Sequence, residues 1–194
     1  MSEMLLVGTH GTSRTRADNI KRIGFNASKC GRHGKGTYMW CAEDDPKDAI
    51  ELAYHFAKTL ARQYEDDNDP SPKVLKCNIR LNGGIYMDLD GKDYYDMFKA
   101  HLRKNANYLL TAKGSKYVKA SRVVDSFVRH IEEITNNHIK VVRTKTQVPR
   151  SYLTEHLKLP HQMPAELRWL DIQSASCYIV RDFTCIPASE IEIN

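Results

Sequence analysis

Short runs of apolar and β-forming residues, bounded by polar or turn-forming residues, recur along the chain at lengths typical of β-strands. The first run is Leu5-Leu6-Val7-Gly8-Thr9-His10, and comparable runs are Thr37-Tyr38-Met39-Trp40 and Cys177-Tyr178-Ile179-Val180. Further runs of this kind are 74–81, 85–89, 139–143 and 191–193. The pattern therefore predicts strands at both ends of the chain and others between them.

Between these runs, apolar residues recur every three or four positions, which predicts amphipathic helices. The predicted helices are 15–23, 45–60, 93–104, 117–135 and 151–157. Strands at both ends with helices between them favour an α+β fold over a regular βαβ alternation. Because 194 residues are close to the usual size of one domain, we expect a single domain over 1–194.

Two segments predict connections between these elements. Asn82-Gly83-Gly84 carries a turn signal and should join the strands 74–81 and 85–89. The segment 65–72 combines four acidic residues with two prolines, so it should form an exposed loop.

The composition narrows the setting in which the protein works. The five cysteines form no C-x-x-C pair, no apolar run is long enough to cross a bilayer, and the N-terminus lacks a basic n-region. We therefore expect reduced thiols, a cytoplasmic location and no membrane partner. His and Cys are not clustered at the spacing of zinc ligands, so the sequence predicts no metal site.

The net positive charge is concentrated in one part of the chain. Residues 99–150 hold twelve Lys and Arg against three acidic residues, whereas the whole chain carries +5. A segment of this kind attracts polyanions by counterion release, although it is also typical of a solvated helix face.

Two short motifs near the N-terminus contain residues that suit ligand binding. In His10-Gly11-Thr12, at the end of the first predicted strand, the imidazole can donate a hydrogen bond to a ribose hydroxyl, and Gly11 lets a flat ligand approach the backbone. In Gly34-Lys35-Gly36-Thr37-Tyr38, the tyrosine offers a face for stacking on an aromatic ligand. Alone, the first motif is also typical of a turn with a hydrogen-bonded histidine, and Tyr38 of the second is also typical of a core aromatic residue.

The order and spacing of the motifs are more informative than any one of them. His10-Gly11-Thr12 is followed by a helix ending in Gly24-Phe25, then by Gly34–Tyr38, by Asp45-Pro46 at the start of an Ala-rich helix, and by a late strand at Tyr178–Asp182. This order resembles the ADP-ribosyltransferase superfamily, in its diphtheria-toxin-like, poly(ADP-ribose) polymerase-like branch. The resemblance covers residues 5–58 well and 177–191 moderately.

The resemblance implies a split, bent β-sheet that holds NAD as a substrate, from which nicotinamide leaves while a nucleophile of the acceptor attacks the ribose. By position, His10 would hold the adenosine-side ribose, and the backbone of Gly11 would pair with the nicotinamide carboxamide. Thr12 would support this turn, and Tyr38 would stack on the nicotinamide ring.

Further cofactor-binding roles follow from the same resemblance. Members of the branch usually have a second stacking aromatic residue on the next helix, for which Tyr54 is the nearest candidate. Arg32 and Lys35 lie in a loop that could face the pyrophosphate, where positive charge is favourable.

One catalytic position departs from the pattern of the branch. Where its chain-elongating members have a glutamate before the Y-I-V strand, this chain has Cys177. The resemblance then leaves three interpretations: transfer of a single ADP-ribose, an acid such as Glu166 or Glu133 from elsewhere in the chain, or an inactive protein. No His or basic residue adjoins Cys177 in sequence to activate its thiol as a nucleophile.

The basic segment bears on the choice of acceptor. Its candidate nucleic-acid-binding residues recur on the helix predicted over 117–135 and just before it, and they are Lys113, Lys116, Lys119, Arg122 and Arg129. We therefore predict a mono-ADP-ribosyltransferase acting on RNA or DNA, plausibly a toxin or phage-defence effector with an antitoxin partner. The alternatives are transfer to a protein, a non-catalytic module that binds NAD, ADP-ribose or RNA, and a relative of the tRNA 2′-phosphotransferases.

Overall fold

Seven strands and five α-helices account for most of the regular structure in a computed structural model that describes residues 3–26, 31–43, 45–82, 85–111, 113–160 and 171–194. The strands are β1 (Met4–Ser13), β2 (Thr37–Cys41), β3 (Pro72–Leu81), β4 (Ile85–Asp88), β5 (Ile139–Gln147), β6 (Ser174–Val180) and β7 (Ile191–Ile193). The helices are α1 (Arg14–Ile23), α2 (Pro46–Thr59), α3 (Lys92–Lys104), α4 (Ala106–Thr111) and α5 (Lys116–Thr135). The α+β class predicted from the sequence is confirmed.

The strands form one mixed sheet in the order β4-β5-β6-β2-β1-β3-β7. All neighbours are antiparallel except β4 and β5, which are parallel. β1 pairs with β3 along its whole length, from Met4 opposite Leu81 to Ser13 opposite Pro72. In contrast, β1 pairs with β2 at Gly8 and Thr9. The second half of β1 therefore diverges from β2, and the sheet opens at this point.

The strands on either side of Asn82-Gly83-Gly84 do not pair with each other. Both edges of β3 are occupied, by β1 and by β7, whereas β4 pairs in parallel with β5 at the far edge of the sheet. A parallel pair needs a long crossover, which here contains α3, α4 and α5. The two strands that the predicted turn joins are therefore not neighbours in the sheet, and Gly83-Gly84 of the turn lie outside the described residues.

The helices cover opposite faces of the sheet. Buried residues of α2 and α5, such as Leu52 and Phe127, pack in one cluster with Trp40 of β2. Ala17 of α1 packs with Met39 in a second cluster. Met39 and Trp40 are consecutive residues of β2, and consecutive side chains of a strand point to opposite faces of the sheet. Helix α1 therefore lies on the face of the sheet opposite to α2 and α5. Within the described part of the chain, no helix combines the length and the apolar character needed to cross a membrane.

Capping residues explain where the two helices beside the opening begin and end. The Ser13 hydroxyl accepts a hydrogen bond from the Arg16 amide at the start of α1, which ends at Gly24 with a φ of +83°. The Asp45 carboxylate accepts from the amides of Lys47 and Asp48 at the start of α2, where Pro46 is the first residue.

The predicted acidic and proline-containing loop over 65–72 is anchored to the start of α1 by Asp67, Asp69 and Ser71, whose oxygen atoms accept hydrogen bonds from residues 13–16. Most of the segment is exposed, and Pro72 already belongs to β3. Asp67 instead pairs with the Arg16 guanidinium at 2.9 Å and accepts a hydrogen bond from the Ser13 hydroxyl. These contacts therefore hold the loop against the start of α1.

Candidate functional site

A cavity of about 730 Å³ lies where β1 and β2 diverge. Its walls come from the second half of β1, from α1, from the start of β2 and from the C-terminal end of α2 with the turn that follows. Its lining residues include His10, Thr12, Arg16, Arg22, Phe25, Tyr38, Phe56 and Tyr64. Three of the residues predicted from the two N-terminal motifs, His10, Thr12 and Tyr38, therefore line one cavity.

His10 is joined directly to β2. Its Nδ1 lies 2.9 Å from the carbonyl oxygen of Tyr38, and its ring packs edge-on against Phe25 with centroids 5.4 Å apart. Burial lowers the pKa of His10, and the hydrogen bond to the Tyr38 carbonyl opposes this effect. Because a carbonyl can only accept, the Nδ1 of the neutral imidazole carries the proton and Nε2 is an acceptor. In this tautomer, the free ring nitrogen would accept a hydrogen bond from a ribose hydroxyl rather than donate one.

Tyr38 holds the loop 31–36 through its hydroxyl. The hydroxyl accepts a hydrogen bond from the His33 amide at 2.7 Å and donates one to the Gly34 carbonyl at 3.0 Å. A Cβ on Gly31 would lie 2.2 Å from the Tyr38 ring, so only glycine allows the loop to approach the ring this closely. The loop therefore packs on part of Tyr38, while the rest of the side chain faces the cavity.

The two residues after His10 have different surroundings. Thr12 is buried, and its side chain is hydrogen-bonded to Tyr64, the last residue of the 3₁₀ turn Ala61–Tyr64. A Cβ on Gly11 would lie 1.8 Å from the Ala53 carbonyl oxygen of α2. The glycine of this motif therefore allows β1 to pack directly on a helix, a role that the sequence analysis did not anticipate.

A second and smaller cavity, of about 70 Å³, lies on the inner side of Tyr38. Tyr38 and Phe56 line both cavities, and Gly11, Gln147 and Cys177 line the smaller one. The two cavities are therefore neighbours that share two aromatic side chains.

Cys177 is fully covered in this inner cavity. Only 2% of the residue is exposed, and burial raises the pKa of its thiol far above the ordinary value. A thiol in this state is protonated and unreactive at neutral pH. Cys177 therefore occupies the predicted position without the properties of a nucleophile.

Of the two alternative acids, the structure describes Glu133, which lines neither cavity. Among the described residues that line the two cavities, none is acidic. Glu133 is exposed near the C-terminal end of α5, and Glu166 lies outside the described residues.

Three predicted cofactor-binding residues point elsewhere. Tyr54 is 39% exposed and lines a separate groove with Glu51 and Lys73. Residues 54 and 56 lie on different sides of a helix, so Phe56 faces the cavity instead. Tyr54 therefore does not line the cavity that contains His10, Thr12 and Tyr38.

Arg32 and Lys35 of the loop 31–36 do not line the cavity either. The Arg32 guanidinium lies over the Tyr117 ring at 4.9 Å and donates to Gln147 Oε1 at 3.4 Å. Lys35 is exposed, and its amide donates to Asp125 at 3.0 Å. Among the described residues, the cations that line the cavity are Arg16 and Arg22 of α1.

Sequence reasoning missed several residues of the cavity wall. Arg16 and Arg22 follow the His10-Gly11-Thr12 motif on the helix that the sequence predicted, so helical spacing could have suggested them. Tyr64 follows the end of α2 and carries no such signal. The Arg16 guanidinium lies 4.7 Å from the centre of the Tyr64 ring, which places a cation and an aromatic ring side by side.

The predicted nucleic-acid-binding residues lie on and before the exposed side of α5. Lys113, Lys116, Arg122 and Arg129 are exposed, and Lys119 is half-buried. The opposite side of α5, including Val124, Phe127 and Ile131, packs in the core.

The loop 31–36 connects this helix to the cavities. The Asp125 carboxylate of α5 accepts hydrogen bonds from the Lys35 amide and from the Arg181 guanidinium, which lies 2.7 Å away. The Arg181 guanidinium also donates to the Lys35 carbonyl at 3.2 Å. The basic helix is therefore fixed beside the loop that packs on Tyr38.

In comparisons with protein-family models, with curated proteins and with solved structures, nothing matches this chain.

Proposed function

We propose that this protein is an NAD-dependent mono-ADP-ribosyltransferase whose acceptor is a nucleic acid. The observation that carries the proposal is that His10, Thr12 and Tyr38 line one cavity at the opening of the sheet. These are the residues to which the family resemblance assigned the ribose, the turn beside it and the nicotinamide ring. A cavity of this size is within the usual range for sites that bind small molecules and cofactors.

The lining residues suit the parts of a dinucleotide. The His10 Nε2 acceptor is available to a ribose hydroxyl, because Nδ1 is committed to the Tyr38 carbonyl. Arg16 and Arg22 supply positive charge for a pyrophosphate, and part of the charge on Arg16 is balanced by Asp67. The rings of Tyr38, Phe56 and Tyr64 offer surfaces for two aromatic bases.

In the proposed reaction, the N-glycosidic bond between nicotinamide and ribose breaks, and nicotinamide leaves as a neutral molecule. A nucleophilic atom of the acceptor then forms the new bond at the same ribose carbon and gives up its proton to solvent. The positive charge of the nicotinamide ring is thereby released as this proton. Holding both ends of the dinucleotide favours this transition state, because the ribose carbon is kept in place as the bond to nicotinamide weakens.

The absence of an acidic side chain from the described cavity walls supports a single transfer. A carboxylate would be needed to activate an ADP-ribose hydroxyl as the next acceptor, and the corresponding position holds the protonated Cys177 thiol. The acceptor must therefore supply a nucleophile that reacts without help from that position.

The position of α5 supports a nucleic-acid acceptor. Tyr117, near the start of this basic helix, stacks with Arg32. Arg32 in turn contacts Gln147, which lines the inner cavity together with Tyr38. A polyanion lying along α5 would therefore come close to the proposed nicotinamide end of the site.

The test is incubation of the purified chain with labelled NAD and, in parallel, total RNA, single- and double-stranded DNA, and a protein lysate, while nicotinamide release is followed. We expect label on RNA or DNA. Tyr38→Ala should abolish it, whereas Tyr54→Ala should not, because Tyr54 lies outside both cavities. Label on protein alone would show that the acceptor is a protein and not a nucleic acid. Equal transfer by wild type and Tyr38→Ala would refute the proposal.

One observation favours a second candidate, a module that binds NAD without turning it over. It is the same lack of an acid in the described cavity walls. This candidate predicts NAD binding by calorimetry that is lost in Tyr38→Ala, with no release of nicotinamide in the presence of any acceptor.

A further inference from the structure

Three side chains with metal-ligating atoms converge on the outer side of α2, apart from the two cavities described above. Glu51 and His55 lie four residues apart and therefore share one face of the helix. His156 comes from the single π-helical turn Tyr152–His156. One candidate ligand atom from each of the three residues lies within 4.8 Å of the other two.

The distances between these atoms are close to those of a bound ion. Glu51 Oε2 lies 3.6 Å from His156 Nδ1 and 3.9 Å from His55 Nε2. Ligand atoms about 2.0–2.1 Å from a tetrahedral zinc ion are roughly 3.4 Å apart. Small rotations of the Glu51 and His156 side chains are enough to bring the ligand atoms from their present separations to those of a zinc site.

The two histidines are held with their rings at an angle. Their centroids lie 6.3 Å apart with an interplanar angle of 62°, so the rings do not stack on each other. His156 instead stacks on Tyr152 at 5.2 Å, and the buried Tyr152 donates its hydroxyl hydrogen bond to Asp48 of α2. The second histidine is therefore positioned by packing before any ion binds.

His55 has a polar requirement that the described residues do not meet. The residue is buried, and its Nδ1 has no hydrogen-bond partner among them. Its Nε2 lies beyond hydrogen-bond distance of Glu51. With its proton on Nδ1, the imidazole has a lone pair on Nε2 that is available to an ion.

We propose that Glu51, His55 and His156 form a binding site for a divalent first-row transition-metal ion, for which Zn²⁺ is best suited. Two imidazoles and one carboxylate suit zinc, whereas Mg²⁺ and Ca²⁺ require a shell of oxygen ligands. Three protein ligands leave a fourth position for water.

The charges around the site are compatible with a cation. The nearby Lys58 is paired with Glu155 at 2.6 Å, which balances its charge and leaves the Glu51 carboxylate as the anionic ligand. The ion would join α2 to the turn Tyr152–His156. Because α2 also carries Phe56, the ion would brace the helix that forms part of the cavity wall.

The test is calorimetric titration of the metal-free chain with ZnCl₂, together with visible absorption after addition of CoCl₂. We expect one equivalent of Zn²⁺ to bind and to raise the Tm, an excess of MgCl₂ not to compete, and Co²⁺ to give the bands of tetrahedral coordination. His156→Ala and Glu51→Gln should each weaken Zn²⁺ binding at least tenfold, while their Tm in EDTA remains that of the wild type.

His138→Ala is the matched control, because His138 forms a His–Glu pair with Glu132 at 2.7 Å and has no second histidine among the described residues around it. It should bind Zn²⁺ as the wild type does. Absence of saturable binding, or binding unchanged in His156→Ala, would overturn the proposal. Since the readouts are binding and spectra, the result is independent of the proposed transferase activity.

Discussion

Gly11 of β1 faces Ala53 of α2 so closely that a Cβ on Gly11 would lie 1.8 Å from the Ala53 carbonyl oxygen and 2.7 Å from its carbon. Ala53 is completely buried, so the helix backbone lies directly on the strand. The contact occurs where β1 diverges from β2. It therefore fixes the helix that carries Phe56 against the strand that carries His10 and Thr12.

Gly11→Ala should be strongly destabilising. The added methyl group meets backbone atoms, which cannot rotate away, so β1 and α2 must separate. We expect the free energy of unfolding to fall by about 3 kcal/mol or more, as measured by urea denaturation.

Gly91→Ala is the control for this substitution. Gly91 has a φ of −69°, and a Cβ there would lie no closer than 3.2 Å to a neighbouring atom. Its loss of stability should remain below about 1 kcal/mol. Equal losses in the two variants would show that the close approach of β1 to α2 is not required.

Tyr38→Phe separates the hydroxyl group from the ring. The variant loses the hydrogen bonds to the His33 amide and the Gly34 carbonyl, which together should lower the stability by about 1–2 kcal/mol. Hydrogen exchange at the His33 amide should become faster, because its partner is gone. Tyr95→Phe, at an exposed position on α3, should leave this exchange rate unchanged, and unchanged protection of His33 in Tyr38→Phe would contradict the role of the hydroxyl.

The sequence predicted the elements better than their arrangement. Helical and strand periodicity placed α1, α2, α5, β2 and β6 to within a few residues, because each element shows its buried face in its own segment. The partner of β4 could not be predicted, since pairing with β5 depends on a crossover of three helices. Local turn chemistry at Asn82-Gly83-Gly84 carries no information about such distant contacts.

The same distinction applies to the candidate site. His10, Thr12 and Tyr38 were found because they belong to compact motifs. Whether Tyr54 or Phe56 faces the cavity depends on the rotation of α2 about its axis. The contact between Gly11 and Ala53 fixes this rotation. The group of Glu51, His55 and His156 escaped the spacing rules for zinc sites because its third member is far away in sequence.

Stability should fall in acid through His33. Burial, reinforced by the adjacent Arg32 charge, lowers the pKa of His33 from 6.5 to about 4. The unfolded chain therefore binds a proton at His33 more readily than the folded chain. The contribution of neutral His33 to the free energy of unfolding is complete above pH 6.5 and is lost as the pH falls toward 4.

The measurement for His33 is urea denaturation at a series of pH values. After allowance for the partial exposure of the ring, wild type should lose about 1–2 kcal/mol more than His33→Gln between neutral pH and pH of about 4.5. Parallel curves for the two proteins would show that His33 is not the group responsible.

The Cys177 thiol should resist alkylation in the folded protein. Burial raises its pKa, so the reactive thiolate is scarce, and the side chain is covered as well. Treatment with iodoacetamide near pH 8 followed by mass spectrometry should leave the peptide containing Cys177 unlabelled. The same peptide should be labelled fully in guanidinium chloride, and rapid labelling without denaturant would restore Cys177 as a candidate nucleophile.

The exposed cations of α5 should determine how strongly the protein binds nucleic acid. Lys116→Gln with Arg129→Gln removes two positive charges from this helix. Each charge that neutralises a phosphate contributes about 0.7–0.9 to the slope of log K against log salt, so the magnitude of the slope should fall by roughly 1.5.

The control is the double variant Lys47→Gln, Lys92→Gln, which removes the same charge from exposed positions outside the segment 99–150 and should keep the wild-type slope. Fluorescence anisotropy with a labelled RNA and a labelled DNA measures both slopes, and equal slopes for the two double variants would place the nucleic-acid surface elsewhere than on α5.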